Sequence, residues 1–251
     1  MDNTGRDVYK RQVHILVSMG HEVLIQRGAG NNAYYGDTEY ADAGAMIVET
    51  LGEVYTADVV LKATSVSAGD TVYMHDRQVI LSPLKLCDMR KDAITEMMQK
   101  KVTAVGFDIL KDGEGYYPVV RIMSEIAGNS AIMIASEYLN NSRGGKGIVL
   151  GGISGITPAE IVILGAGTLG EFAARAALGL GATVKIFDHS VERLRKLNEV
   201  LGQRVFTSVF HKPVLDKALA SADVLIGAMR CFDNGENTVV SEAQVRLMKR
   251  G

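Results

Sequence analysis

Proline, cysteine and excess charge of either sign are all scarce in this chain, and each shortage removes a class of protein. Four prolines among 251 residues, with 27 glycines in no triplet period, exclude fibrous and low-complexity chains. Two cysteines, Cys87 and Cys231, are too few for a disulfide framework or a zinc centre, and neither has the C-x-x-C or histidine context of a nucleophile. Basic and acidic side chains number 27 and 29, so the formal charge of -2 gives no long-range field for gathering nucleic acid or anionic lipid. No apolar run reaches the roughly 18 residues that a bilayer span needs, and there is no secretory hydrophobic region, which predicts a cytoplasmic protein that contacts no membrane. His21 and His75 lack partners at metal-ligand spacing, so no metal is expected. What is plentiful is apolar material, 47% of the residues, enough for one large or two modest domains that work on small molecules.

Short apolar strands alternate with helical stretches along the whole chain, the pattern of parallel sheets with crossover helices. In the first half the expected strands are Glu22 to Gln26, Asp58 to Lys62, Gln78 to Ser82 and Thr103 to Phe107, with helices over Thr38 to Ile47 and Arg90 to Lys101. A long helix is expected from about Arg121 to Asn141, its small and apolar residues Ala127, Ala131, Ile132, Ala135 and Leu139 suited to tight packing and to bridging two lobes. A second alternating series follows a glycine-rich stretch that ends at Gly155. Residues 1–12 are polar and aperiodic and read as a leader foreign to the fold, running into the middle of a helix at Val13 to Met19. Ser241 to Lys249 reads as a serine-capped helix, after which a further strand is expected, so the sequence reads as a fragment lacking both termini.

The strongest local signal is Glu160-Ile-Val-Ile-Leu164, then Gly165-Ala-Gly167-Thr-Leu-Gly170, then Glu171 to Ala177. That is strand, G-x-G-x-x-G and helix: the first glycine permits a tight turn, the second a close approach of a diphosphate to the backbone, the third close packing of helix on strand. The free amides and the positive dipole end of the helix then face the phosphate oxygens. The next strand, Ala182 to Phe187, ends in Asp188, where a carboxylate accepts from ribose hydroxyls and disfavours a 2'-phosphate, so NAD is expected over NADP. The alternative for these residues is a packing turn and a solvated aspartate. His189 and Arg193 could accommodate a phosphate, or simply begin a solvated helix. Strands from Arg204 to Val209 and Asp223 to Met229 flank a helix from Pro213 to Ala220, and the end of the last strand puts Ala228, Met229 and Arg230 beside a bound nicotinamide.

Several stretches together resemble the alanine dehydrogenase and proton-translocating transhydrogenase family: Gly20 to Ile25 with Gly28-Ala-Gly30, Asp37 to Ala45, Asp58 to Lys62, Met123-Ser-Glu-Ile-Ala-Gly128, Gly144 to Gly147 with Leu150-Gly-Gly152, and the glycine turn followed by Gly179 to Ala182. The match runs in consistent order from about Val13 to Gly251. It implies two Rossmann-like, doubly wound parallel-sheet domains: residues 13–122 binding a small amino or oxo acid, a linking helix over 123–141, and residues 142–251 binding NAD, with the second sheet truncated. It further implies oxidative deamination of L-alanine to pyruvate and ammonia by hydride transfer, in a homo-oligomer. By position, Ser124, Thr168, Leu169, Arg193, Met229 and Arg230 join Gly165, Gly167, Gly170 and Asp188 as cofactor contacts, and Met123 falls beside the nicotinamide and substrate, although alone it reads as core filling and Ser124 as a helix cap.

Two departures stand out. Where the family has Lys-x-Lys-Glu-Pro, this chain has Lys62-Ala-Thr64-Ser-Val66, and the family's Leu-His-Leu is Leu84-Lys85-Leu86. Lys62 and Thr64 are therefore the candidate substrate residues, and Lys85, at the family's histidine position, the candidate catalytic one, although a lone lysine reads more simply as a solvated charge. Residues corresponding to the family's substrate arginine and catalytic aspartate would lie upstream of Val13 and downstream of Gly251, so the fragment by itself is expected not to turn over substrate. The alternatives are the NAD-binding domain of a transhydrogenase and a non-catalytic NAD-binding module. Tyr34 and Tyr35 could close over a substrate but read more simply as loop tyrosines.

Overall fold

The structure is a computed structural model that describes residues 7–85, 89–229 and 238–249. It divides into two compact units, residues 1–117 and 118–251. In the first, α1 (Asp7–Ser18), β1 (Leu24–Gln26), α2 (Asp37–Asp42), β2 (Met46–Val48), α3 (Leu51–Val54), β3 (Val59–Leu61), α4 (Ala68–Thr71), β4 (Val79–Ser82), α5 (Lys91–Gln99) and β5 (Thr103–Gly106) follow in order. The strands pair only in parallel, as β1-β2 and as β3-β4-β5. Tyr55, Val60, Val66, Met74, Ile80 and Met97 close over each other as the core of this unit.

The helix expected over Thr38 to Ile47 is shorter: α2 stops at Asp42, and Met46 and Ile47 belong to β2. Gly44, at a φ of +97°, adopts the left-handed conformation that ends a helix, and the apolar residues after it pair with β1. Helix α1 already runs at Asp7, inside the stretch that reads as a leader.

The second unit holds α6 (Pro118–Leu139), β6 (Glu160–Leu164), α7 (Thr168–Gly179), β7 (Thr183–Phe187), α8 (Val191–Leu201), β8 (Phe206–Ser208), α9 (Lys212–Ser221), β9 (Val224–Gly227) and α10 (Glu242–Val245). Its parallel sheet has the order β8-β7-β6-β9, so the crossovers leave β6 in opposite directions. The strand β6 is apolar because both faces are covered: Ile161 and Ile163 point into a core with α6 and α7, Val162 and Leu164 into one with α9. The long helix expected as a bridge lies wholly within this unit, packed along α7. At Gly128 the helices come so close that a Cβ would stand 2.5 Å from the Leu169 carbonyl oxygen. The terminal helix expected to reach Lys249 is a single turn, α10, capped as anticipated by Ser241.

At the N-terminal end of this sheet, Glu160 binds Lys185 and the Ser221 hydroxyl, while Asp223 accepts from the Glu160 amide at 2.9 Å and from Lys249 at 2.9 Å. These ion pairs tie strand starts together and leave the opposite end, where the glycine turn sits, for other work.

Candidate functional site

The glycine turn leaves β6 beside the end of β9, where the strand order reverses; a doubly wound sheet opens its ligand crevice at that point. Gly165 donates to the Phe187 carbonyl at 2.7 Å and has a φ of +115°, and any Cβ there would meet the Ala228 carbonyl oxygen at 2.5 Å. Gly170 lies in α7 with its missing Cβ directed at the Gly165 carbonyl oxygen, 1.9 Å away. Both glycines are thus required by the chain itself. Gly167 is different: it caps α7 at an ordinary φ of -81°, and a Cβ there would meet nothing within 4 Å. Its bareness answers to no neighbour in the fold.

Asp188 is buried, 4% exposed, and works within the turn. One carboxylate oxygen accepts from the Ala166 amide at 2.7 Å and the other from the Ser190 amide at 2.8 Å. The solvated aspartate of the alternative reading is therefore excluded: this side chain clamps the glycine turn to the start of α8, with lone pairs on each oxygen to spare. Thr168 and Leu169 open α7, half-buried, and Met229 is half-buried beyond β9. Ser124 is half-buried one turn ahead of Gly128, the residue at which α6 meets Leu169, while Met123 on the same turn is exposed. Arg193 is exposed on the first turn of α8, its amide donating to the Ser190 cap, and His189 packs its ring 4.5 Å from that of Phe210. Arg230 lies outside the described residues, as do Cys87 and Cys231.

In the first unit, Lys62 is committed to a partner. Its ammonium binds the buried Asp70 carboxylate, which also accepts from the Ser67 amide and hydroxyl, both at 2.6 Å. Burial alone would raise the Asp70 pKa, but the bonds from Lys62 and Ser67 outweigh it and hold the carboxyl below its ordinary range. Thr64 and Lys85 are exposed, and Lys85 lines a cavity of about 180 Å³ together with Ser65, Ser67, Leu84 and Arg90. Ser65, Ser67 and Arg90 escape notice in the sequence; the only hint is that the serines follow β3 where the family motif lies. Within its own unit Lys85 is not desolvated. Tyr34 is exposed and Tyr35 buried in the first lobe's loop, and His75 bonds the Ala57 and Asp76 carbonyls.

Two family models together span nearly the whole chain: "Alanine dehydrogenase/PNT, N-terminal domain" over residues 8–127 and "Alanine dehydrogenase/PNT, C-terminal domain" over 131–251. The chain is 32% identical to a solved L-alanine dehydrogenase, with a TM-score of 0.86 over 96% of this chain and 67% of that one. It belongs to the alanine dehydrogenase/PNT family. A member of that family, the alanine dehydrogenase of Bilophila wadsworthia, is 35% identical over 240 residues, which are 95% of this chain and 63% of the relative. The chain thus spans under two thirds of that curated relative. A transhydrogenase from Sinorhizobium meliloti, at 21% identity, shares the fold, with a TM-score of 0.79 over 96% of this chain and 70% of that one. Among the described residues of this family member, no helix is long and apolar enough to cross a membrane.

Proposed function

We propose that the second unit binds NAD at its glycine turn and that the protein of which this chain is part oxidises L-alanine to pyruvate and ammonia. The observation that carries the reading is Gly167, a glycine with open space where its Cβ would be, between two glycines that the fold itself requires. A residue kept bare against solvent fits a diphosphate lying on the backbone, held by the free amides at the start of α7. Asp188, anchored by Ala166 and Ser190, presents its remaining lone pairs to ribose hydroxyls and repels a 2'-phosphate. Ser124 and Met229 then stand as contacts on the nicotinamide side, with Thr168 and Leu169 at the phosphates and Arg193 at the adenosine. NAD, when bound, supplies the hydride acceptor.

In the first unit the cavity beside Lys85 takes the small acid, and the Lys85 ammonium holds its carboxylate or carbonyl. Lys62 supports that site indirectly through Asp70, which binds the cavity-lining Ser67, and Thr64 is exposed one residue before Ser65, which lines the cavity. The reading is supported by membership of the family and by the alanine dehydrogenase names of its relatives. Calorimetric titration of the chain with NAD and NADP tests it: tight binding of NAD, and binding of NADP weaker by tenfold or more, is the expected result, and no heat with either rejects it. A non-catalytic NAD-binding module is the second reading, favoured by the engagement of Lys62 with Asp70. NAD binding without any binding of pyruvate would select it.

A further inference from the structure

The geometry points to Asp108 as the residue that positions Lys85, setting the direction in which its ammonium meets the acid. The proposal rests on the reading of the Lys85 cavity as the acid site. Lys85 has a φ of +42°, in the left-handed region that side chains with a Cβ rarely adopt. It is exposed, so no demand of the core explains this backbone, yet it lines the cavity. Unfavourable backbone of this kind persists only where surrounding groups hold it, and it concentrates where a side chain must be aimed.

The holding group is the Asp108 carboxylate. One of its oxygens accepts from the Leu84 amide at 3.0 Å and the other from the Lys85 amide at 3.4 Å, so two successive N–H groups converge on one anion. Asp108 reaches them from a turn at the end of β5, closed by the Ile109 amide on the Gly106 carbonyl at 3.1 Å. The turn is fastened to β4 by the Phe107 amide on the Ser82 carbonyl at 3.3 Å. Gly106 leaves the room: a Cβ there would press on the Asp108 carboxylate at 3.0 Å and on Leu84 at 3.2 Å. Leu84, buried, anchors one end of the peptide that Asp108 grips, and the exposed Lys85 is the other. Without the carboxylate, the Lys85 backbone is free to relax toward negative φ, which would swing its Cβ, and with it the ammonium, away from its present direction.

A double-mutant cycle on the full chain, read by calorimetric titration of pyruvate, tests this. Lys85→Met is expected to weaken pyruvate binding about tenfold, and Asp108→Ala about fivefold or more, while Lys85→Met combined with Asp108→Ala is no weaker than Lys85→Met alone within about twofold. Asp108→Asn, which keeps a neutral acceptor for one amide, should fall between Asp108→Ala and the unsubstituted chain. Thermal unfolding and NAD titration of each variant identify any that merely misfold, and in that event Asp108→Asn serves in place of the alanine variant in the cycle. Pyruvate affinity unchanged by Asp108→Ala while Lys85→Met lowers it overturns the positioning role, as do additive losses in the double variant. No binding of pyruvate by the unsubstituted chain, or no effect of Lys85→Met, overturns the acid-site reading beneath it.

Discussion

Replacing Gly167 and Gly170 separately by alanine distinguishes a glycine kept for a ligand from one kept for the fold. At Gly167 the backbone is extended, with φ -81° and ψ -170°, and the added methyl meets no atom within 4 Å. The gain from a less flexible unfolded chain, about 0.4–1 kcal/mol, is offset by alanine's poorer standing as a helix N-cap. The two leave Gly167→Ala within about 0.5 kcal/mol of the parent, or roughly 2 °C in melting temperature for a domain of this size. At Gly170 the methyl would stand 1.9 Å from the Gly165 carbonyl oxygen, which is backbone and cannot swing away. Helix α7 must lift from β6, an overpacking cost of about 2–3 kcal/mol, or roughly 5–10 °C. The order reverses for NAD. A methyl at Gly167 holds the diphosphate off the amides, and losing even one charge-assisted hydrogen bond of about 1.5–3 kcal/mol lowers affinity tenfold or more. Scanning calorimetry without ligand and titration with NAD well below the melting range measure the two effects independently. If Gly167→Ala destabilises as much as Gly170→Ala, or binds NAD as the parent does, the reasoning from the bare Cβ position fails.

Asp188→Ala strands the Ala166 and Ser190 amides at a buried position and should cost about 2–3 kcal/mol in urea unfolding, together with most of the NAD affinity, while Asp188→Asn should lose less of the stability than of the affinity. Gly128→Ala puts a methyl 2.5 Å from the Leu169 carbonyl oxygen and should lower the melting temperature of the second unit by the equivalent of about 1–3 kcal/mol. Lys62→Met leaves the Asp70 carboxylate buried without its cation, at about 3 kcal/mol, the lower end for buried pairs because the Lys62 side chain is 25% exposed. Because Asp70 has its pKa lowered by folding, its contribution is complete above the ordinary value of 3.8 and is lost as the pH falls through and below that value. Unfolding titrations between neutral pH and pH 3 should accordingly show a shallower acid limb in Asp70→Asn than in the parent.

The second unit was the more legible half of the fold, for a physical reason. Its central strands are five residues long and buried on both faces, so they appear as uninterrupted apolar runs, and the turn between β6 and α7 has chemistry that few other turns need. In the first unit β1, β2 and β3 have three residues each; β1 and β3 fall inside the expected strands, but β2 directly follows a helical stretch and is too short for a period of its own to emerge. Met46 and Ile47 accordingly read as the tail of a helix, although Gly44 marks the true stop. The closing helix misled in the other direction: the Ser241 cap was legible, but a good cap starts a helix without dictating its length, and α10 ends after one turn.

The site divides along the same line. The position of Asp188 could be counted from the glycines, but its grip on Ala166 and Ser190 could not, since an acid at the end of that strand looks the same whether solvated or buried. Lys62 stood out through the family motif, yet its partner Asp70 is eight positions on, across a capping box that carries no mark of a buried ion pair. Asp108 shows most plainly where the sequence runs out. In the parallel pairing of β4 and β5, Val79 faces Thr103 and Ser82 faces Gly106, and continuing that register past both strand ends sets Leu84 opposite Asp108, where the hydrogen bond is found. The contact follows from the register, and the register does not follow from the residues: sliding β5 by two positions along β4 would keep every side chain on the same face and leave the apolar pattern intact. Only the packed unit selects one pairing among these, and with it which carboxylate arrives at the Lys85 backbone. A shift of two would bring Leu110 or Gly106 to that place instead, neither able to accept through its side chain, so the aim of Lys85 depends on β4 and β5 meeting in this one alignment.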